Sequence, residues 1–137
     1  MTEISGRALV EGEATGKALI LDEPLSFWGG LDPATGVVID PHHPQRGVRV
    51  TGRVLVMPSG RGSSSSSSIL AEAIRLGTAP AAIVLAEPDQ IVALGAIVAG
   101  ELYGTVVPVV LVGPASLKPI RNGSGVRIAG SAVTTRP

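Results

Sequence analysis

Val54-Leu55-Val56-Met57-Pro58-Ser59-Gly60-Arg61-Gly62-Ser63-Ser64-Ser65-Ser66-Ser67-Ser68-Ile69-Leu70-Ala71-Glu72-Ala73-Ile74 decides how this chain is read. The first four residues form a short apolar run that reads as a buried strand. Ile69, Leu70, Ala73 and Ile74 recur at helical spacing and give one apolar face. Six consecutive serines would ordinarily suggest a flexible linker. Here the run is short and framed on both sides, so it belongs to a strand–loop–helix turn. A helix is expected over 63–76, with Gly77 at its C′ position. Serine suits the N-cap, because its hydroxyl accepts from an unpaired backbone N–H. The free N–H groups of a helix start also favour an anion, and Arg61 adds a fixed positive charge beside them. The loop thus offers hydroxyls, backbone donors and a guanidinium in one place.

Working outward, glycines and prolines punctuate many short elements. Residues 7–10 and 17–21 read as strands separated by a turn-rich connection over 11–16. Residues 25–33 are irregular, 37–39 form a short apolar run, and 42–47 form a loop. Strands are expected over 48–50, 54–57, 81–85 and 125–129. Residues 106–112 hold another, beginning properly at Val109 because Pro108 interrupts it. Residues 91–100 are Ala-rich, follow Pro88-Asp89, and lean towards a second helix. The first sixty residues lack a helix signal, which argues against an open parallel sheet with regular strand–helix alternation. A compact α/β sandwich or barrel-like domain is expected, with many short strands and one or two helices.

At 137 residues the chain reads as one domain, expected over 1–130, with 131–137 a flexible tail. Eleven basic and eleven acidic residues balance, which excludes the basic stripe that nucleic acid demands. There is no cysteine, so neither a disulfide framework nor a Cys-ligated metal comes from this chain. The apolar region from Ala81 to Gly113 is cut by Glu87, Pro88, Asp89, Glu101 and Pro108, too often for a membrane helix. No signal peptide is visible at Met1-Thr2-Glu3-Ile4-Ser5-Gly6, so a cytoplasmic location is the expectation. Aromatics are scarce, yet Ala, Val, Ile and Leu make the chain apolar on average. Either the core is densely β-branched, or a partner chain covers some apolar surface.

Several familiar chemistries fail on spacing. A phosphate-binding P-loop needs a lysine after its second glycine, and here Arg61 precedes Gly62 with only serines following. The Gly-x-Ser-x-Gly nucleophile elbow fails for the same reason. A Ser–His–acid triad would have to recruit His42 or His43, two neighbours in a Pro-flanked loop. The same pair is a poor metal site, because adjacent residues rarely aim at one ion; no metal-binding residue is expected. Phe27 and Trp28 either plug the core or sit in a binding loop, where Gly29 and Gly30 would permit close backbone approach. Glu87 and Asp89 follow a strand end, where functional loops often sit, although exposed loop acids are more often simply solvated.

Four segments in register carry a resemblance over nearly the whole chain. They are Leu25-Ser26-Phe27-Trp28-Gly29-Gly30-Leu31-Asp32-Pro33-Ala34-Thr35-Gly36, Gly60-Arg61-Gly62-Ser63-Ser64, Ala79-Pro80-Ala81-Ala82-Ile83 and Gly95-Ala96-Ile97-Val98-Ala99. Together they resemble the small swivel subunit of the aconitase X family. The resemblance implies a compact swivelling β/β/α domain and a hydro-lyase that dehydrates either cis-3-hydroxy-L-proline or mevalonate 5-phosphate. It implies a large-subunit partner that holds an iron–sulfur cluster and most of the substrate site, consistent with the absence of cysteine here. The family's catalytic serine follows a Gly-Arg/Lys-Gly element, which maps to Ser63, ahead of Ser64 and, more distantly, Ser66. Residues 79–101 look more like the hydroxyproline branch.

Dehydration removes a proton from carbon and hydroxide from its neighbour. Hydroxide is a poor leaving group that calls for a metal Lewis acid. The proton calls for a positioned base, and a serine hydroxyl serves only if its alkoxide is stabilised. N–H groups at Gly62, Ser63, Ser64 and Ser65, the helix dipole and Arg61 are the expected source of that stabilisation. Arg61, Gly62 and Ser64 are the expected contacts to a carboxylate substrate, and Ser26, Phe27, Trp28, Gly29 and Gly30 an interface or substrate loop. The rivals are a catalytically silent anion-binding module and, lacking a credible histidine, a self-sufficient serine hydrolase.

Overall fold

A computed structural model describes residues 1–136. Its strands are β1 Thr2–Ser5, β2 Arg7–Val10, β3 Glu13–Ile20, β4 Leu31–Asp32, β5 Val37–Val38, β6 Val54–Met57, β7 Ala82–Leu85, β8 Val109–Leu111, β9 Gly125–Ala129 and β10 Ala132–Thr135. The helices are α1 Phe27–Gly30, a single kinked turn, α2 Ser66–Leu76 and α3 Gln90–Tyr103. Eight strands form one mixed sheet in the order β1-β10-β9-β3-β6-β7-β8-β2. The two strands at its ends, β1 and β2, are consecutive in sequence with only Gly6 between them, so the sheet curls almost into a barrel. Gly6 makes that corner possible. Its N–H donates to Ser131 O at 2.8 Å, and a Cβ there would lie 2.7 Å from Leu111 O.

The parallel strands β3, β6, β7 and β8 carry a second layer. Successive side chains of a strand point to opposite faces. Val54, Val56, Ala82, Val84, Val110 and Val112 therefore fill the inside of the curled sheet with Ile4, Ile128 and Val133. Leu55, Met57, Ile83, Leu85 and Val109 face the other way, onto Leu70, Ala73 and Ile74 of α2 and Val92, Ala96 and Ala99 of α3. Burial on both faces is why these strands read as unbroken apolar runs. Gly95 lets α3 lie against α2, since a Cβ there would be 2.7 Å from Ser67 O. Among the described residues no helix is long and apolar enough to cross a membrane.

The α/β expectation of many short strands and a barrel-like sheet holds, and both long helices lie where the pattern put them. Four local readings change. Residues 132–135 are no frayed tail: β10 sits between β1 and β9, and Val133 is fully buried. Pro137, the end of that expected tail, lies outside the described residues. Strand β3 starts at Glu13, inside the supposed turn, because Ala14, Thr15 and Gly16 pair with β9. Residues 48–50 make only an isolated bridge, Arg49 to Val37. Finally, α2 begins at Ser66 rather than at Ser63.

Candidate active site

The loop between β6 and α2 crosses two other elements at close range, and its two glycines allow this. At Gly60 a Cβ would overlap the Asp89 carboxylate. Gly62 has φ +97°, and a Cβ there would lie 2.5 Å from Ser26 Oγ. The loop then closes into a tight turn. Ser66, Ser67 and Ser68 donate their N–H groups to the carbonyls of Ser63, Ser64 and Ser65 at 3.0, 3.3 and 3.1 Å. Ser65 occupies the N-cap position in helical conformation, without a side-chain capping bond. Ser65 N–H donates instead to Ser63 Oγ at 3.1 Å. That takes Ser65 out of the expected set of free donors. The N–H groups of Gly62, Ser63 and Ser64 have no partner among the described residues, and all three residues are exposed.

Ser66 differs from its neighbours. It is buried, its Oγ accepts from Trp28 N–H at 3.1 Å, and it lies 3.3 Å from Ser26 Oγ. Ser26 Oγ also donates to Trp28 O at 2.9 Å, so the Ser66 proton is the one available between the two hydroxyls. These bonds tie the α1 turn to the start of α2. Phe27 is buried in the core, whereas Trp28 is 56% exposed, so the two aromatics divide between plug and surface. Gly29 sits in the turn at φ +78°, and Gly30 packs on Leu25.

A cleft of about 150 Å³ opens where these pieces meet, lined by Phe27, Gly60, Arg61, Gly62, Ser63, Ser66 and Asp89, together with the apolar Leu25, Ile91 and Val92. The starts of α2 and α3 both border it. Arg61 is half exposed and stands 3.8 Å from Asp40, an ion pair too long and too open to hold the guanidinium in place. Ser63 is thus brought together with Arg61 and Gly62. Ser26, Ser64, Trp28, Gly29 and Gly30 lie outside the lining. Asp89, expected as a solvated loop acid, lines the cleft instead. Its position directly before the apolar face of α3 is an N-cap signal, and its Oδ1 accepts from Ile91 and Val92 N–H at 2.9 and 3.0 Å.

The histidines are elsewhere. His43 is buried and fully used: its Nε2 lies 3.1 Å from Glu23 O, and Nδ1 accepts from Gln45 N–H at 3.0 Å. That pairing fixes the tautomer with the proton on Nε2. His42 is exposed. Neither lines the cleft, so no histidine is placed to activate Ser63. Among the described residues no three His, Cys, Asp or Glu side chains gather as a metal site.

The sequence matches the family model of the aconitase X swivel domain over residues 3–135. The chain belongs to the aconitase X swivel family. The same fold is seen in the crystal structure of Thermococcus kodakaraensis aconitase X in its holo-form, with TM-score 0.89, 33% identity and full coverage of both chains. Cis-3-hydroxy-L-proline dehydratase of Pseudomonas aeruginosa is 54% identical over 107 residues, which is 78% of this swivel domain and 18% of that protein. The enzyme of the same name from Hypocrea jecorina is 38% identical over 130 residues, 95% of this chain and 22% of that protein. The swivel domain therefore spans about a fifth of those two relatives. The phosphomevalonate dehydratase small subunit of Pyrococcus furiosus is 37% identical over 128 residues, 93% of this chain and 90% of that one.

Proposed function

We propose that this swivel domain is the small subunit of a cytoplasmic iron–sulfur hydro-lyase that removes water from cis-3-hydroxy-L-proline, with Ser63 as general base and Arg61 as carboxylate anchor. The observation that carries the reading is the shared cleft. There an exposed hydroxyl already receiving an N–H and a loosely paired guanidinium border one small space. The Ser65 N–H on Ser63 Oγ favours the charged form of that oxygen. The unpaired N–H groups of Gly62, Ser63 and Ser64 add to this effect, as does the positive end of α2. As the alkoxide, Ser63 Oγ takes the C2 proton, the C2–H pair becomes the C2=C3 double bond, and the C3–O bond breaks; the hydroxide released and the proton taken make up the water lost. Arg61 holds the carboxylate so that C2 lies over Ser63.

Without cysteine and without a gathered donor set among the described residues, the residues of this chain do not fit an iron–sulfur cluster. The reading gives the cluster, and the departure of the hydroxide, to the large subunit. Exposed Trp28, Leu94, Ile97, Leu102 and Val106 support a surface that such a partner covers. The higher identity to the Pseudomonas dehydratase supports the hydroxyproline substrate. Mevalonate 5-phosphate is the second reading, favoured by the near end-to-end match to the Pyrococcus small subunit. Co-expression with the large subunit, anaerobic purification and assay of water loss from both substrates test the proposal. Turnover of cis-3-hydroxy-L-proline is expected. Turnover of mevalonate 5-phosphate alone transfers the assignment to the second reading. A pair that never assembles favours an anion-binding module.

A further inference from the structure

Asp89 uses only half of its carboxylate. Oδ1 accepts both capping bonds from α3, whereas Oδ2 has no hydrogen-bond or ion-pair partner among the described residues. Oδ2 is not sealed in the core either, since no buried side-chain oxygen lacks a partner among those residues. It lies directly against Gly60, whose missing side chain leaves it room, on the lining of the cleft that holds Arg61 and Ser63. Capping alone needs one oxygen and no glycine opposite the other. The cleft lining therefore carries a permanent cation, a half-free anion and the candidate base.

We propose that Asp89 is a specificity-determining residue that accepts a hydrogen bond from the substrate's ammonium group. The inference rests on the dehydratase reading and names the class of substrate within it: an α-amino acid in zwitterionic form, here a secondary amine. Such a molecule bears its carboxylate and its ammonium on the carbon that loses the proton. Arg61 on one group and Asp89 on the other fix that carbon with respect to Ser63 Oγ, where a single anchor would leave it free to turn. A substrate with a phosphate in place of the ammonium meets like charge at Asp89 and is rejected.

Asp89→Asn tests this in the complex with the large subunit. Asparagine caps a helix about as well as aspartate, so the thermal midpoint should not move. The KM for cis-3-hydroxy-L-proline should rise about tenfold, the scale of one charged hydrogen bond, with a smaller change in kcat. Calorimetric binding of two unreactive ligands provides a readout independent of turnover by the variant. L-proline and cyclopentanecarboxylate differ in the ring ammonium, and the wild type should prefer L-proline. That preference should collapse in Asp89→Asn. A wild-type complex that dehydrates hydroxyproline, with KM and ligand preference unaltered in Asp89→Asn, overturns the role of Asp89 and leaves the dehydratase reading standing. A wild-type complex active only on mevalonate 5-phosphate overturns both.

Discussion

Ser66→Ala and Ser68→Ala separate two serines of one unbroken run. Ser66 Oγ is buried and serves Trp28 N–H and Ser26 Oγ. Its loss leaves those partners to find water or go unpaired, at about 1–3 kcal/mol for a buried group. Trp28 is exposed, so its N–H lies near the lower end of that range. Alanine returns about 0.5 kcal/mol through its better helix propensity. The net expectation is a loss of about 1–2 kcal/mol, or roughly 3–8 °C in thermal midpoint for a domain of this size. Ser68 is exposed, and Ser68→Ala should stay within about 0.5 kcal/mol. Urea unfolding gives the free energies. Trp28, the chain's single tryptophan, reports locally by fluorescence because its own backbone is tethered to Ser66. Equal stability of the two variants, with unchanged Trp28 emission, would refute the claim that Ser66 pins the α1 turn.

Two further outcomes follow from the geometry. Gly62→Ala must relieve both a φ of +97° and a contact with Ser26 Oγ, so the loop shifts. We expect a stability loss of about 1–3 kcal/mol in chemical denaturation and at least about tenfold lower turnover of the complex. Glu72 titrates below its ordinary value of 4.5 because Arg75 hydrogen-bonds to its carboxylate. Its small stabilising effect is therefore present above the unfolded carboxylate range and is lost as pH falls through the lowered value. NMR titration should show the Glu72 value rising in Arg75→Gln.

Much of this was legible in the sequence, and the exceptions have physical causes. Val54–Met57 and Ala82–Leu85 are unbroken apolar runs because both of their faces are buried, and such runs announce themselves. Gly77 ends α2 in the left-handed conformation, as its place after Leu76 suggested. β10 was hidden because half of Ala132-Val133-Thr134-Thr135 is polar, and one of its two partners, β1, lies more than a hundred residues away. Gly16 broke the strand pattern of β3, although its narrowness is what β3 needs: a Cβ there would lie 2.6 Å from Gly52 O. Six identical serines give no local clue to which one is buried, but helical spacing does. Ser66 precedes Leu70, Ala73 and Ile74 by four, seven and eight positions and shares their buried face. Asp89 is legible in the same way, as the polar residue just before an apolar helix.

If Ser63 takes the substrate proton, its removal must show in kcat rather than in KM, and both are measured for Ser63→Ala in the assembled complex. The exposed hydroxyl accepts one bond, from Ser65 N–H, so stability should change by no more than about 0.5 kcal/mol. We expect kcat lower by at least about a hundredfold, the usual contribution of a positioned base, with KM nearly unchanged. A Ser63→Ala complex that dehydrates cis-3-hydroxy-L-proline at close to the wild-type rate would contradict that role of Ser63.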